Sequence, residues 1–312
     1  MSHDARIHIL TIARHPVGGI RTYLKYTYRY LNPEKYRFIF LLRDTPEARL
    51  LCADLPMHDV TYHPVRLGSP ERSFVLAAWR HLRHSKIDLI HSQGLTAGIL
   101  ACAANMWHRV PHIVTHHDTF RPNQFRGPLG LAKRICLSSA LRLATCINFV
   151  SFDSQGNFIE YLPGFSKDLR RLVVTPIGVD PPLYMPASCT HRRRDISPSH
   201  KSPTVFAYIG RFMPEKGFEH LINAILYLTH ELKINRHFRV HAIGEGGFIT
   251  EYRRRIHRLG LSDYFQFFPF HPFPFFYFTG FGCWIVICKT HEDRTDFIFN
   301  NAVPVCKTIL IR

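Results

Sequence analysis

Gly210-Arg-Phe-Met-Pro-Glu-Lys-Gly-Phe-Glu-His-Leu-Ile222 decides how this chain is read. It follows a β-type run, Thr204 to Ile209, and opens a helical pattern in which Leu221, Ile222, Ile225 and Leu228 fall on one face. Arg211 and Lys216 therefore stand beside the start of a helix, with glycines on either side. A helix N-terminus offers unpaired N–H groups and a positive dipole, and two formal cations added there suit a diphosphate. The competing reading is a solvated helix start carrying two ordinary surface cations.

Outward from this stretch the same rhythm recurs. In the first half, Ile7–Ile12, Phe38–Leu42, Lys86–Ile90, His112–Thr115, Ile147–Ser151 and Leu172–Thr175 read as strands, with helical stretches at Ile20–Leu31 and Thr96–Met106. Pro181 to Pro203 breaks the alternation with five prolines and the basic cluster His191-Arg-Arg-Arg194. It then restarts: strand Thr204–Ile209, helix Lys216–Leu232, strand Phe238–Ile243, helix Phe248–Leu259 and strand Tyr264–Phe268. Strands alternating with helices imply parallel sheets covered on both faces. The expected organisation is a Rossmann-like domain over residues 1–180, a linker over 181–203 and a second domain over 204–312.

Composition sets the limits. At 312 residues, 46% hydrophobic and 20% charged, the chain is globular and long enough for two cores. Its eight cysteines form no Cys-x-x-Cys pair, and its polar N-terminus lacks a signal-peptide pattern, so a cytoplasmic location is expected. The net charge of +17 calls for an anionic partner: a phosphorylated substrate, an acidic membrane surface or nucleic acid. Nucleic acid is the weakest of the three, because no nucleic-acid-binding motif accompanies the charge. Arg253-Arg-Arg-Ile-His-Arg258 lies on a predicted helix and either meets anionic headgroups or faces solvent. The apolar run Phe265–Cys288 carries prolines and glycines that oppose a membrane helix, and reads as a strand, an aromatic loop and a second strand, Trp284–Ile287. The loop could present an aromatic face to a lipid acceptor.

In wording, the opening stretch resembles the G-R-x-x-x-E-K-G signature of GT-B glycosyltransferases, in particular the retaining glycosyltransferase family 4. Further segments follow in the order that family requires. Arg14-His-Pro-Val-Gly-Gly19 is similar to its Gly-Gly loop, which places Gly18 and Gly19 beside the donor diphosphate. Asp88-Leu-Ile-His-Ser-Gln-Gly94 resembles its D-x-x-H-x-H-G segment, with Gln93 at the second histidine. It makes His91 an acceptor-side residue, although a satisfied strand-end histidine fits the residues equally. In Val114-Thr-His-His-Asp118 the resemblance gives His117 a catalytic place beside the sugars and Asp118 an acceptor-side one. Adjacent side chains on an extended chain point to opposite sides, which argues against His116 and His117 holding one metal. Thr175-Pro-Ile-Gly-Val-Asp180 resembles the turn closing the family's first domain, and Ile243-Gly-Glu-Gly-Gly247 its glycine turn, with Gly244 by the nucleotide.

The pattern departs at the C-terminus. Glu292 aligns with the first carboxylate of the family's E-x7-E, which orients the donor sugar, but the ribose-binding position falls on Asn300. Pro304 also arrives early, and the closing helices of the family have no counterpart before Arg312. The expected fold is thus two doubly wound Rossmann-like domains facing a cleft, the second incomplete. The resemblance implies transfer from a nucleotide-diphosphate sugar to a glycan or lipid-linked acceptor in polysaccharide or envelope synthesis. It implies no metal and no further cofactor, with the chain cytoplasmic or peripheral on the inner face of the membrane. Glu292 as a covalent nucleophile, a loop glutamate in its place, an inactive remnant that only binds, a sugar-nucleotide epimerase and a basic nucleic-acid binder remain as alternatives.

Overall fold

A computed structural model describes residues 4–176, 178, 204–233, 238–269, 283–288 and 306–311. The chain divides into two compact units, residues 1–179 and 180–312. The expected linker, Glu292, Asn300 and the segment around Pro304 lie outside the described residues, as does most of the expected aromatic loop.

The first unit is a seven-stranded parallel sheet. Its strands are β1 (Ile7–Ala13), β2 (Tyr36–Arg43), β3 (Val60–Val65), β4 (Leu89–Gln93), β5 (His112–His116), β6 (Cys146–Phe149) and β7 (Leu172–Val174), in the order β3-β2-β1-β4-β5-β6-β7. Helices α1 (Gly19–Tyr28), α2 (Pro46–Ala53), α3 (Arg72–His84), α4 (Leu95–Asn105), α5 (Gly127–Leu141) and α6 (Phe152–Tyr161) connect them. Alternation along β1 shows why the sheet is covered twice. Leu10 and Ile12 pack with Phe74 and Ala78 of α3 and Ala97 and Ala101 of α4. Ile9 and Ala13 pack on the other side with Tyr23 and Leu24 of α1 and Leu51 of α2. Strand order reverses direction between β1 and β4, and in such sheets ligands bind beyond the carboxyl ends of the strands at that point.

The second unit holds a five-stranded parallel sheet in the order β10-β9-β8-β11-β12. Its strands are β8 (Thr204–Ile209), β9 (Phe238–Ile243), β10 (Phe265–Phe268), β11 (Cys283–Cys288) and β12 (Cys306–Ile311). Tyr208, Phe212, Phe218, Ile222, Val240, Ala242, Tyr252 and Ile256 form one core with the helices Phe218–Leu226 and Ile249–Arg258.

Several elements differ from expectation. The strand placed at Lys86–Ile90 begins only at Leu89 and continues through His91, Ser92 and Gln93. Asp88 does not extend it; its carboxylate accepts from the backbone N–H of His8. The helix expected from Lys216 begins at Phe218 after a 3-10 turn, and its last turn widens to a π-helix over Tyr227–Glu231. Strand β3 went unrecognised because Val-Thr-Tyr-His-Pro-Val reads as polar and proline-broken, which only an edge strand tolerates.

Candidate functional site

In the first unit, register builds a polar row where the sheet should be apolar. Ala13 pairs with Gln93, Gln93 with Thr115, and Thr115 with Asn148, across β1, β4, β5 and β6. His91 and Gln93 lie two apart on β4, as do Thr115 and His117 on and just beyond β5, so each pair shares a side. His117 and Gln93 Oε1 are 2.7 Å apart through Nε2 of the ring, and Gln93 Nε2 lies 2.8 Å from His91 Nε2. His91 Nδ1 is 2.7 Å from the Tyr28 hydroxyl, which is 2.8 Å from Thr11 Oγ1.

The amide sets the direction of this chain. With its oxygen toward His117, that ring must carry its proton on Nε2 and donate it. The amide N–H then donates to His91 Nε2, so His91 holds its proton on Nδ1 and donates to Tyr28, which donates to Thr11. Nδ1 of His117 is left as a bare acceptor. Tyr23 crosses edge-on against His117, with ring centroids 5.1 Å apart, and its hydroxyl accepts from Asn148 Nδ2 at 3.0 Å.

Burial keeps these rings neutral. Desolvation lowers the pKa of His91 to about 3, helped by the neighbouring His117 and His112, and that of His117 to about 4. His116 turns the other way, into Phe120, Phe149 and Phe158, and its pKa falls to about 3 by desolvation. His112, 2.8 Å from Ser92 Oγ through Nε2, is lowered to about 4. These groups bind protons in the unfolded chain near pH 6.5 and in the folded chain only near 3 to 4. Stability is therefore fully present above pH 6.5 and is lost as pH falls toward 4. Each of His91, His112 and His116 contributes up to on the order of 3 kcal/mol to that loss. Melting curves should show the midpoint dropping steeply from pH 6.5 to 4; a flat profile would mean that these rings are hydrated in the fold.

Of the expected acceptor-side residues, His91 stands behind His117, buried with both ring nitrogens bonded inside the protein, so it supports the site rather than facing a ligand. Asp118 is exposed, and its backbone carbonyl accepts from Ser154 Oγ at 2.9 Å. Gly18 has φ 53°, which glycine adopts without strain, and precedes α1, where both Gly18 and Gly19 leave open space in place of a side chain. Arg14, in the same loop, is bonded through Nε to Glu71 at 2.9 Å, and Glu71 also takes Arg43 at 3.2 Å.

In the second unit the Arg211–Lys216 loop is held from below. Phe212 and Phe218 are fully buried, and the buried Tyr208 donates its hydroxyl to the Arg211 carbonyl at 3.1 Å. Arg211 and Lys216 themselves are exposed. Phe212 N donates to Glu245 O at 2.9 Å and Gly210 N to Ile243 O at 3.1 Å, so the β8 and β9 loops lie backbone against backbone. Gly244, expected by the nucleotide, has φ 143°, and a Cβ there would stand 2.0 Å from the Gly210 carbonyl oxygen. Its lack of a side chain is accounted for by this packing alone.

The basic helix does not present an apolar face to a membrane. Arg255 is engaged by Glu219 and Asn223, Arg253 lies over the Phe267 ring, and no large apolar side chain is exposed between Ile249 and Arg258. Among the described residues no helix is long and apolar enough to cross a membrane, and no cluster of three metal-binding side chains occurs.

Sequence reading missed Gln93, Thr11, Thr115, Asn148, Tyr23 and Tyr28 as members of one network. The signal was available in the polar residues that interrupt strands otherwise apolar enough for a doubly covered sheet.

Comparison with known proteins agrees on fold. HepE of Anabaena, solved with UDP, aligns with a TM-score of 0.66 and 19% identity over 91% of this chain and 74% of its own. A glycosyltransferase of Rickettsia africae gives a TM-score of 0.66 and 17% identity over 90% and 73%. Sucrose-phosphate synthase of Thermosynechococcus elongatus gives 0.58 and 16% over 90% and 75%. A search of curated proteins found no significant match. The sequence pattern named Glycosyltransferase Family 4 matches residues 17–182, more than half of the chain. With the two parallel sheets and the GT-B neighbours, this match makes the chain a glycosyltransferase belonging to Glycosyltransferase Family 4.

Proposed function

We propose that the chain is a retaining, metal-independent transferase that moves a sugar from a nucleotide-diphosphate sugar to a glycan or lipid-linked acceptor, in polysaccharide or envelope synthesis. Its setting is the cytoplasm, at the inner face of the membrane. The observation that carries this reading is the Arg211–Lys216 loop, two exposed cations on a buried aromatic footing at the start of a helix. HepE, with the same fold, was solved with UDP and with UDP-glucose. Arg211 and Lys216 neutralise the charge that grows on the departing diphosphate, a task a divalent ion performs elsewhere. The bond between the anomeric carbon and the diphosphate oxygen breaks while the acceptor oxygen bonds to that carbon from the same face. The acceptor's proton passes to a donor phosphate oxygen, so no enzyme nucleophile is consumed.

His117 offers its bare Nδ1 to a sugar hydroxyl, which donates to it. Glu292 and Asn300 are assigned to the donor sugar and the ribose. Replacing His117 by alanine should cut kcat about 10- to 100-fold and leave UDP affinity unchanged, because positioning is lost and the diphosphate site is not. Unchanged turnover would remove His117 from the site.

The reaction itself is tested by incubating the chain with UDP-hexoses in a chelator and following slow transfer to water by proton NMR. The first sugar released should keep the donor's anomeric configuration. The opposite anomer would exclude retention, and activity lost to the chelator would exclude metal independence. UDP binding without any turnover would favour the inactive alternative.

A further inference from the structure

Helix α5 is built the wrong way round for a helix facing water. Successive residues of an α-helix turn by ~100°. Buried Leu137 and Leu141 lie on one side, together with Gly130. The opposite side carries Leu129, Leu131, Ala132, Ile135 and Cys136, together with the polar Ser139, all exposed. Leu129 is 88% exposed and Ile135 56%. Lys133 and Arg134 stand on the two flanks between the buried and the outward sides. A solvent-facing helix places its charges outward and its apolar residues inward. Here the outward arc is uncharged and mostly apolar, and the cations border it, as in a helix lying in a membrane interface.

Charge complementarity names the occupant. Between Asp118 and Asp153 the chain carries Arg121, Arg126, Lys133, Arg134 and Arg142, and neither an aspartate nor a glutamate. A protein partner of mixed charge would not require so one-sided a border, whereas an anionic lipid surface does. The basic helix Ile249–Arg258, with comparable charge, has no exposed large apolar side chain to insert. We propose that the outward face of α5 docks this chain on an anionic phospholipid surface, with Leu129, Leu131 and Ile135 entering the headgroup boundary and Lys133 and Arg134 pairing with phosphates. This deepens the reading of a transferase at the inner membrane face and rests on it only for its biological setting.

The test is co-sedimentation of the 312-residue chain with vesicles of phosphatidylcholine, alone or in equal mixture with phosphatidylglycerol. The wild type should bind the mixed vesicles and not the neutral ones. Leu131→Ser/Ile135→Ser and Lys133→Glu/Arg134→Glu should each lower the partition coefficient about tenfold or more. Both variants should keep the wild-type melting temperature and UDP titration, since none of these four side chains is buried or belongs to the diphosphate loop. Absence of binding to mixed vesicles, or equal binding by wild type and both variants, would overturn the proposal. So would a wild-type dimer that dissociates in Leu131→Ser/Ile135→Ser without any vesicle binding, which would make the face a contact between copies. A chain that sediments with vesicles yet fails to bind UDP would count against the transferase reading and leave the docking surface standing.

Discussion

Alanine at both Arg211 and Lys216 is expected to weaken UDP binding by about a thousandfold while changing uridine binding little. A hydrogen bond to a charged group is worth about 1.5 to 3 kcal/mol, so two of them account for roughly two to four powers of ten. The diphosphate carries the charge that these side chains would meet, and the nucleoside carries none. Both positions are exposed, and Phe212, Phe218 and the Tyr208 hydroxyl anchor the loop. The double variant should therefore melt within a few degrees of the wild type. Calorimetric titration of both proteins with UDP and with uridine reads the result directly. An equal fall for both ligands, together with a lowered melting temperature, would mean that the loop had collapsed and that the phosphate reading was wrong.

Gly244→Ala is expected to act in the opposite manner, through the fold. Its added Cβ would lie 2.0 Å from the Gly210 carbonyl oxygen, a backbone atom that no rotamer change can move aside. The residue also sits at φ 143°, which alanine adopts only under strain. Overlap and strain together should cost about 3 to 5 kcal/mol, enough to unfold a unit of ordinary stability at modest temperature. The loss should be confined to residues 180–312, because residues 1–179 contain their own cores. Limited proteolysis should leave a resistant fragment ending near residue 179 while UDP binding disappears. A variant with wild-type melting and protease resistance would show that the two loops separate easily. The apposition of Gly210 and Gly244 would then not be what holds Arg211 in place.

What the sequence disclosed was periodic and local. Thr204–Ile209 and Phe238–Ile243 were read to the residue, because Thr-Val-Phe-Ala-Tyr-Ile is rich in β-branched and aromatic side chains and Phe-Arg-Val-His-Ala alternates apolar with polar ones. Order among the glycine- and histidine-bearing segments led to the family. What escaped was whatever depends on neighbours distant along the chain. His91, Ser92 and Gln93 look like the start of a turn because they are polar, yet they are strand residues. Tyr28 comes from α1 and Thr115 from β5 to bond His91, and only the fold brings these partners within reach. The basic run from Arg253 drew attention as a membrane candidate, whereas α5, whose apolar residues look like an ordinary core stripe, has Leu129, Leu131 and Ile135 facing outward. No composition measure separates an inward stripe from an outward one. The side of the helix that meets the sheet is set by tertiary packing.

Gln93 carries a lesson about inheritance. The family pattern to which this segment is similar often has a second histidine at its position, so the glutamine reads at first as decay. Yet its amide accepts from His117 through oxygen and donates to His91 through nitrogen. A neutral imidazole has the same pair of faculties, one nitrogen accepting and the other donating. Histidine and glutamine are thus synonyms at this position. A lineage can drift from one to the other without passing through a state that strands a buried ring. Leucine or glutamate would break the sentence, since neither can both give and receive. The residues along the chain from Thr11 to His117 should accordingly vary together across descendants, or hardly at all.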